Sequence, residues 1–257
     1  MLKAIAFDLW ETLITDTPEL SREQERLRLT RMEEILRAHG HAHEAERIER
    51  AYRALWSRCF ELYWSADRDI DCRVQIVHFL EALELDAASF SESALRDLEE
   101  AYATATIEVP PALVEGAPEL LRALKSRGFS IGLISNTGRT PGYALRRVLE
   151  TLGLAEFIDV MVFSNEHGAC KPQPSIFEEL RRGLGVDYDE MVFIGDNLYV
   201  DVHGAQRCGM RAIHFDPPVR GTAVAAAVDH GLEITPDAYV TRLADVVQVV
   251  ERMRGEG

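Results

Sequence analysis

The sequence predicts an α/β protein: a parallel sheet covered by helices on both faces, interrupted after its first strand by an all-helical insertion. Two observations carry this expectation. From Glu115 onward, short continuous apolar runs alternate with helix-like stretches. Strands that are continuously apolar belong to a sheet buried on both faces. Between about Asp16 and Pro110, by contrast, apolar residues recur at three- and four-residue steps, the period of helices with one buried stripe. The expected division is a core from residues 1–15 and 111–257 and a helical cap from residues 16–110.

The first strand, Ala4-Ile5-Ala6-Phe7, stops at Asp8, with Thr12 four residues on. Four amphipathic faces follow. Leu29, Met32, Ile35 and Leu36 mark the first, which His39-Gly40 ends. Ile48, Tyr52, Leu55, Cys59 and Phe60 mark the second, extended by Trp56 and Tyr63. Val74, Val77, Leu80 and Leu83 mark the third, and Leu95, Leu98 and Tyr102 the fourth. Four such helices make a small bundle, and Pro110-Pro111 is the seam where the chain returns to the core.

Pro118 to Arg127 reads as a helix with Pro near its start and Gly128 just past its end, the usual asymmetry of helix termini. Ile131–Ser135, Val160–Ser164 and Met191–Gly195 are the next strands. Helices are expected at Pro141–Leu152, from Ser175 and from about Asp201. Ala212–Phe215 and Tyr239-Val240 read as closing edge strands, with a last helix starting near Thr241. The stretch from Pro217 to Pro236 is Ala-rich and carries no pattern with a clear role. An insertion after the first strand hangs over the carboxyl ends of the strands, where a lid belongs.

Composition bounds the function. A net charge of -15 with no basic stripe argues against nucleic acid or an anionic membrane as partner, but not against a small anionic substrate, because a bound cation reverses the local field. No apolar stretch approaches the roughly 20 residues of a membrane span, and the amino-terminal apolar run is too short for a secretory signal. The four cysteines are scattered with no C-x-x-C pair, so a reducing cytoplasm is expected. Basic residues are almost all arginine; lysine occurs only at Lys3, Lys125 and Lys171.

Chemistry-bearing residues fall at equivalent strand ends: Asp8, Ser135 with Asn136, Lys171, and Asp196 with Asp201. Open parallel sheets bind ligands at the carboxyl ends of their strands. Asp8 and Asp196 together offer the hard oxygen donors that Mg²⁺ uses; without a cation, such carboxylates repel and one tends to take up a proton. An ionised Asp8 can attack an electrophile. Lys171 would bring a compact positive charge, and Ser135 a hydroxyl donor to the oxygens of a transferring group. Asp201 reads either as part of this site or as the N-cap of the following helix.

The set Asp8-Leu-Trp-Glu-Thr12, Ser135-Asn136, Lys171-Pro172-Gln-Pro174 and Gly195-Asp196-Asn-Leu-Tyr-Val-Asp201 resembles the haloacid dehalogenase-like hydrolase superfamily. The insertion resembles the helical cap of that superfamily's first cap class. The resemblance implies a Rossmann-like core, Asp8 as nucleophile, and Ser135 and Lys171 as phosphate-orienting groups. It also implies Mg²⁺ on Asp8, the Trp10 backbone carbonyl and Asp196, with Asp201 in support. Trp10, Thr12 and Asn136 are expected beside the substrate. Arg22, Arg26, Arg28, Arg31, Arg58, Arg68 and Arg73 of the insertion are candidate contacts for a substrate anion, Arg58 near Trp56, Tyr63 and Trp64 among the expected binding residues; the sequence does not say which arginine reaches it. The partner is a small molecule, and the assembly a monomer or homodimer.

Trp10 departs from the pattern. Phosphomonoester-cleaving members usually carry an aspartate two residues after the nucleophile, which protonates the leaving oxygen and then activates water. Indole has one N–H and neither useful acidity nor basicity, and Glu11, adjacent on a turn, points elsewhere. An aromatic at this position resembles the 2-haloacid dehalogenases, whose halide leaves without a proton; those enzymes lack the Gly-Asp loop and work without metal. The phosphonate-cleaving branch needs a cap lysine, and residues 16–110 contain none. The readings are therefore a Mg²⁺-dependent phosphatase, a carbon–halogen hydrolase with an ester on Asp8, or a non-catalytic ligand-binding relative.

Overall fold

The protein is described by a computed structural model covering residues 1–42, 44–222 and 231–255. Strand β1 (Ala4–Phe7) is fully buried and delivers Asp8 directly. A short β2 (Ile14–Thr15) precedes the insertion, which consists of α1 (Pro18–Ala38), α2 (Ala45–Leu62), α3 (Cys72–Ala82), α4 (Glu92–Ala103) and α5 (Ala105–Glu108). Side-chain caps set three of these starts: Thr17, Asp71 and Ser91 accept from the first-turn N–H groups of α1, α3 and α4, which offsets donors that the helix leaves unpaired. β3 (Ala112–Leu113) returns antiparallel to β2, so the two connections between insertion and core run side by side.

The core continues through α6 (Ala117–Ser126), β4 (Ser130–Ser135), α7 (Gly142–Thr151), β5 (Val160–Phe163), α8 (Ser164–His167) and α9 (Pro174–Leu184). It closes with β6 (Met191–Gly195), a π-helical turn at Leu198–His203, α10 (Gly204–Arg207), β7 (Arg211–Phe215), β8 (Ala238–Val240) and α11 (Val246–Gly255). Among the described residues, six strands form one sheet in the order β5-β4-β1-β6-β7-β8, every neighbouring pair parallel. β1 lies between β4 and β6, with Phe7 opposite Leu133 on one side and Ile194 on the other. That register brings the tips bearing Asp8, Ser135 and Asp196 together. The strand order reverses at β1, the kind of position where open α/β sheets hold their ligands.

One apolar cluster, containing Ile5, Phe7, Leu121, Leu133 and Val250, packs one face of the sheet; another, with Ala4, Ala6, Phe177, Phe193 and Val202, packs the other. Alternate β1 side chains point to opposite faces, as the strand period of two requires. The insertion has its own cluster, including Met32, Tyr52, Phe79, Leu98 and Tyr102. Among the described residues, no helix is long and apolar enough to cross a membrane.

Several expected elements differ in detail. β7 is not an edge: it pairs with β6 on one side and β8 on the other, so only β8 closes that end. The last helix begins at Val246, after a single turn at Leu243–Asp245, rather than near Thr241. In α3 the buried stripe runs through Cys72, Ile76, Phe79 and Leu80, with Val74 and Val77 only half-buried, because the face opposite α2 and α4 is set one position off the expected one. In the stretch Pro217–Pro236, residues 223–230 lie outside the described residues, but Arg220, Gly221 and Thr222 make specific contacts with the core.

Candidate active site

Asp8 is buried and sits where β1 gives way to a tight turn. Its Oδ2 accepts from Thr12 Oγ1 at 3.2 Å and its Oδ1 from Lys171 Nζ at 2.5 Å. The same ammonium lies 2.7 Å from Asp201 Oδ1, so Lys171 joins two carboxylates from different strand ends. The position is wholly enclosed: Lys171 is 2% exposed, with its charge 5.3 Å from the Phe193 ring centroid. Burial alone would lower the ammonium's pKa; the Asp201 and Asp8 carboxylates outweigh it and hold Lys171 above the ordinary lysine value. It is therefore a fixed positive charge.

Asn136 clamps the lysine from behind. Its Oδ1 accepts from Lys171 N at 2.8 Å and its Nδ2 donates to Lys171 O at 3.1 Å. The amide is thus committed to the backbone of the lysine loop, and its local effect is on Lys171. Ser135 is fully buried at the end of β4, and its Oγ has no hydrogen-bond partner among the described residues. A buried hydroxyl without a partner costs free energy, and Ser135 ends the strand that pairs with β1.

Asp196 follows β6, and Asp201 lies within the π-helical turn. The cap of that turn is Asn197, whose side chain accepts from Tyr199 N and Val200 N, so Asp201 is free for the site rather than serving as an N-cap. Asp201 instead receives Asn197 N at 3.0 Å and Lys171. Gly195 permits this approach: a Cβ there would lie 2.4 Å from Asp201 Oδ2. Asp8, Asp196 and Asp201 each offer a carboxylate oxygen, and these oxygens lie within 4.8 Å of one another. Burial first, then the Asp8 and Asp201 charges, drive the Asp196 carboxyl up to about 8. Burial raises Asp8 to about 6, with Lys171 opposing and Asp201 adding to the rise. Three carboxylates facing two basic side chains are the hard, underneutralised oxygen set that fits a divalent cation.

The second of those basic groups is Arg220. Its Nη1 is 2.6 Å from Asp196 Oδ2, and its Nη2 is 3.3 Å from Asp196 O and 3.0 Å from Asp216 Oδ1. Tyr239 OH in turn holds Asp216 at 2.8 Å. The sequence reading missed Arg220 because its stretch has no periodic pattern; the available signal was its place a few residues beyond the carboxyl end of β7. Gly221 completes the strap. Its N–H donates to Glu11 Oε2 at 2.7 Å, while Thr222 N donates to Asp16 O at 2.8 Å. A Cβ at Gly221 would lie 2.3 Å from both Asp16 O and Thr15 Oγ1, so only glycine passes here.

Glu11, with φ 59°, is buried and receives Thr15 Oγ1 as well as Gly221 N. Its carboxylate braces the strap. Trp10 is half-buried against the apolar cluster that holds Phe7 and Leu13. Arg58 is exposed on α2 and lines a surface groove with His78 and Glu81. Several other arginines of the insertion form surface pairs, such as Arg31 with Glu108 and Arg73 with Glu92; Arg68 donates to Leu62 O at 2.9 Å, and Arg28 is buried and donates to Tyr102 O at 2.8 Å.

Known proteins resemble this chain in sequence and in fold. A ribulose-1,5-bisphosphate 5-phosphatase of Halopiger xanaduensis is 30% identical over 174 residues, 68% of this chain and 71% of that protein. A glyceraldehyde 3-phosphate phosphatase of Methanopyrus kandleri is 28% identical over 255 residues, 98% of this chain and 99% of that protein. The crystal structure of a 2-haloacid dehalogenase from Pseudomonas syringae superposes with a TM-score of 0.68 at 25% identity, covering 98% of this chain and 99% of that one. The family model described as haloacid dehalogenase-like hydrolase matches residues 2–209. The chain is an enzyme, and it belongs to the haloacid dehalogenase-like hydrolases.

Proposed function

We propose that the protein is a Mg²⁺-dependent phosphatase of small phosphorylated metabolites, working through a phosphoryl ester on Asp8. The observation that supports this most is the meeting of Asp8 with both Asp196 and Asp201, their oxygens within 4.8 Å. A cation there would be held by Asp8, Asp196 and the Trp10 carbonyl, with Asp201 beside them. It would supply charge neutralisation for an incoming phosphate. The phosphatase names of the relatives from Halopiger and Methanopyrus support the same reading.

The chain's own residues have the following parts. Thr12 and Lys171 hold the two Asp8 oxygens apart and oriented, 3.2 and 2.5 Å from their donors. Asp8 attacks phosphorus; the bond from phosphorus to the leaving oxygen breaks, and the electron pair departs with that oxygen. Lys171 and the unpartnered Ser135 hydroxyl donate to phosphoryl oxygens as charge spreads onto them. Water then attacks phosphorus of the acyl-phosphate, and Asp8 is released. With Trp10 in place of an acid–base carboxylate, no side chain at that position protonates the leaving oxygen. General acid–base help is worth about 10²–10⁴-fold, so turnover on alcohols that leave poorly is slow.

Trp10 and the 2-haloacid dehalogenase likeness favour a second reading, displacement of halide by Asp8. Incubation with phosphate-ester and 2-haloacid panels, each with Mg²⁺ and with chelator, separates the two. Phosphate release that chelator and Asp8→Asn both abolish is expected. Halide release that survives chelator would replace the phosphatase reading with the second.

A further inference from the structure

The loop after Ser135 and Asn136 is fastened to the helical insertion along its length. Gly138 O accepts from Gln75 Nε2 at 2.9 Å, and Thr140 Oγ1 receives Arg28 Nη2 at 3.4 Å and lies 3.3 Å from Thr106 Oγ1. Between them, Arg139 leaves the core and enters the insertion. Its guanidinium lies 5.0 Å from the Tyr52 ring centroid and 4.8 Å from that of Trp56, both on α2. Its Nε is buried without a hydrogen-bond partner among the described residues, so the two aromatic faces are what that part of the cation meets. Cation–π contacts of this kind strengthen as water is excluded.

The reverse contact comes from Asp69, which leaves the insertion and enters the core. Its buried carboxylate receives Thr137 Oγ1 at 3.1 Å and Ser164 Oγ at 2.5 Å, besides Trp64 Nε1 at 2.7 Å from its own side. The backbone beside it pairs with the approach to Lys171: Asp69 N donates to Gly168 O at 3.1 Å, and Cys170 N to Asp67 O at 2.9 Å. Asn136 already ties the two core loops to each other through both backbone groups of Lys171.

We propose that Arg139 is a positioning residue: with Asp69 it forms a reciprocal latch that fixes the loops bearing Ser135 and Lys171 to the helical insertion, so these groups hold their places only while the insertion is docked. Neither latch residue is assigned contact with the substrate. The kinetic consequence rests on the phosphatase reading above; the structural consequence does not. Arg139→Met keeps the length and apolar volume among Tyr52 and Trp56 while removing the charge, and Arg139→Lys restores a cation.

The test uses the full chain and two readouts, amide hydrogen exchange and steady-state hydrolysis of p-nitrophenyl phosphate with Mg²⁺. In Arg139→Met, exchange at residues 136–140 and 168–171 is expected to rise about tenfold or more, while Ile131–Ile134 of β4 stay protected. Turnover is expected to fall about 10- to 100-fold with KM changed far less, because the displaced donors act on oxygens whose charge grows in the transition state. Arg139→Lys is expected to recover much of both. A variant that only melts at lower temperature, with wild-type exchange in both loops, overturns the latch. Equal loss in the methionine and lysine variants overturns the part assigned to the charge. If the wild type releases no phosphate, the phosphatase reading has failed and the exchange result alone decides the latch.

Discussion

Arg220 places its Nη1 2.6 Å from Asp196 Oδ2, so a guanidinium stands against the carboxylate that the proposed cation would share. Asp216 and Tyr239 brace it there. A fixed positive charge at that distance opposes a dication by Coulomb repulsion and engages one of its oxygens. Arg220→Ala is expected to tighten Mg²⁺ binding by about tenfold, roughly 1.4 kcal/mol, in a calorimetric titration at constant pH. Weaker binding would mean that Arg220 helps to build the cation cradle.

Lys171 is the group whose loss should be felt in both folding and chemistry. Lys171→Met leaves Asp8 and Asp201 buried and facing each other without their shared cation. Removing one partner of a buried ion pair costs about 3–5 kcal/mol, and a lost charge at a reacting group about 10²–10³ in rate. Chemical denaturation and turnover measure the two. Lys171→Arg is not expected to rescue, because the planar fork is wider than the enclosed point charge it replaces. Wild-type turnover in either variant would remove Lys171 from the mechanism.

Trp10→Asp tests the missing proton donor. For phosphate esters of aliphatic alcohols, turnover is expected to rise by about 10²-fold or more. For p-nitrophenyl phosphate, whose phenolate leaves without a proton, it is expected to change little. Circular dichroism establishes that the variant is folded, since Trp10 packs on the core. No rise with aliphatic esters in a folded variant contradicts this account of Trp10.

Asp16 gives a pH dependence away from the catalytic cluster. Burial pushes its carboxyl up to about 6, against the pull of the Gln24 amide 2.9 Å away and of the Arg28 charge. A carboxyl raised above its unfolded value of about 3.9 contributes its stability fully below that value and loses it as pH rises through about 6. Asp16→Asn carries no such loss. The unfolding free energy of the variant minus that of wild type is therefore expected to increase between pH 4 and pH 7, the variant gaining stability relative to wild type. A difference that stays constant over that window would show that Asp16 does not titrate in this way.

The parallel core was legible because its strands are continuous apolar runs, and Asp8, Ser135, Asp196 and Asp201 could be placed at strand ends before their geometry was known. Lys171 stood out because lysine is scarce in this chain. What the sequence did not disclose depends on contacts between distant segments. Asn136 bonds the Lys171 backbone across 35 positions, Arg220 reaches Asp196 from an unpatterned loop, and Asp69 crosses from the insertion into the core. Periodicity reports which face of an element is buried; it carries no information about which loop meets which.

The most direct test of the central claim is mass spectrometry of the Asp8-containing peptide, from protein acid-quenched during turnover of a phosphate ester or a 2-haloacid in water enriched in heavy oxygen. The phosphatase account predicts a phosphoryl group on Asp8 with the phosphate ester, and Asp8 carboxylate oxygens that stay unlabelled, because water attacks phosphorus. Label accumulating in the Asp8 carboxylate with the 2-haloacid, and no phosphoryl group with the ester, would contradict it.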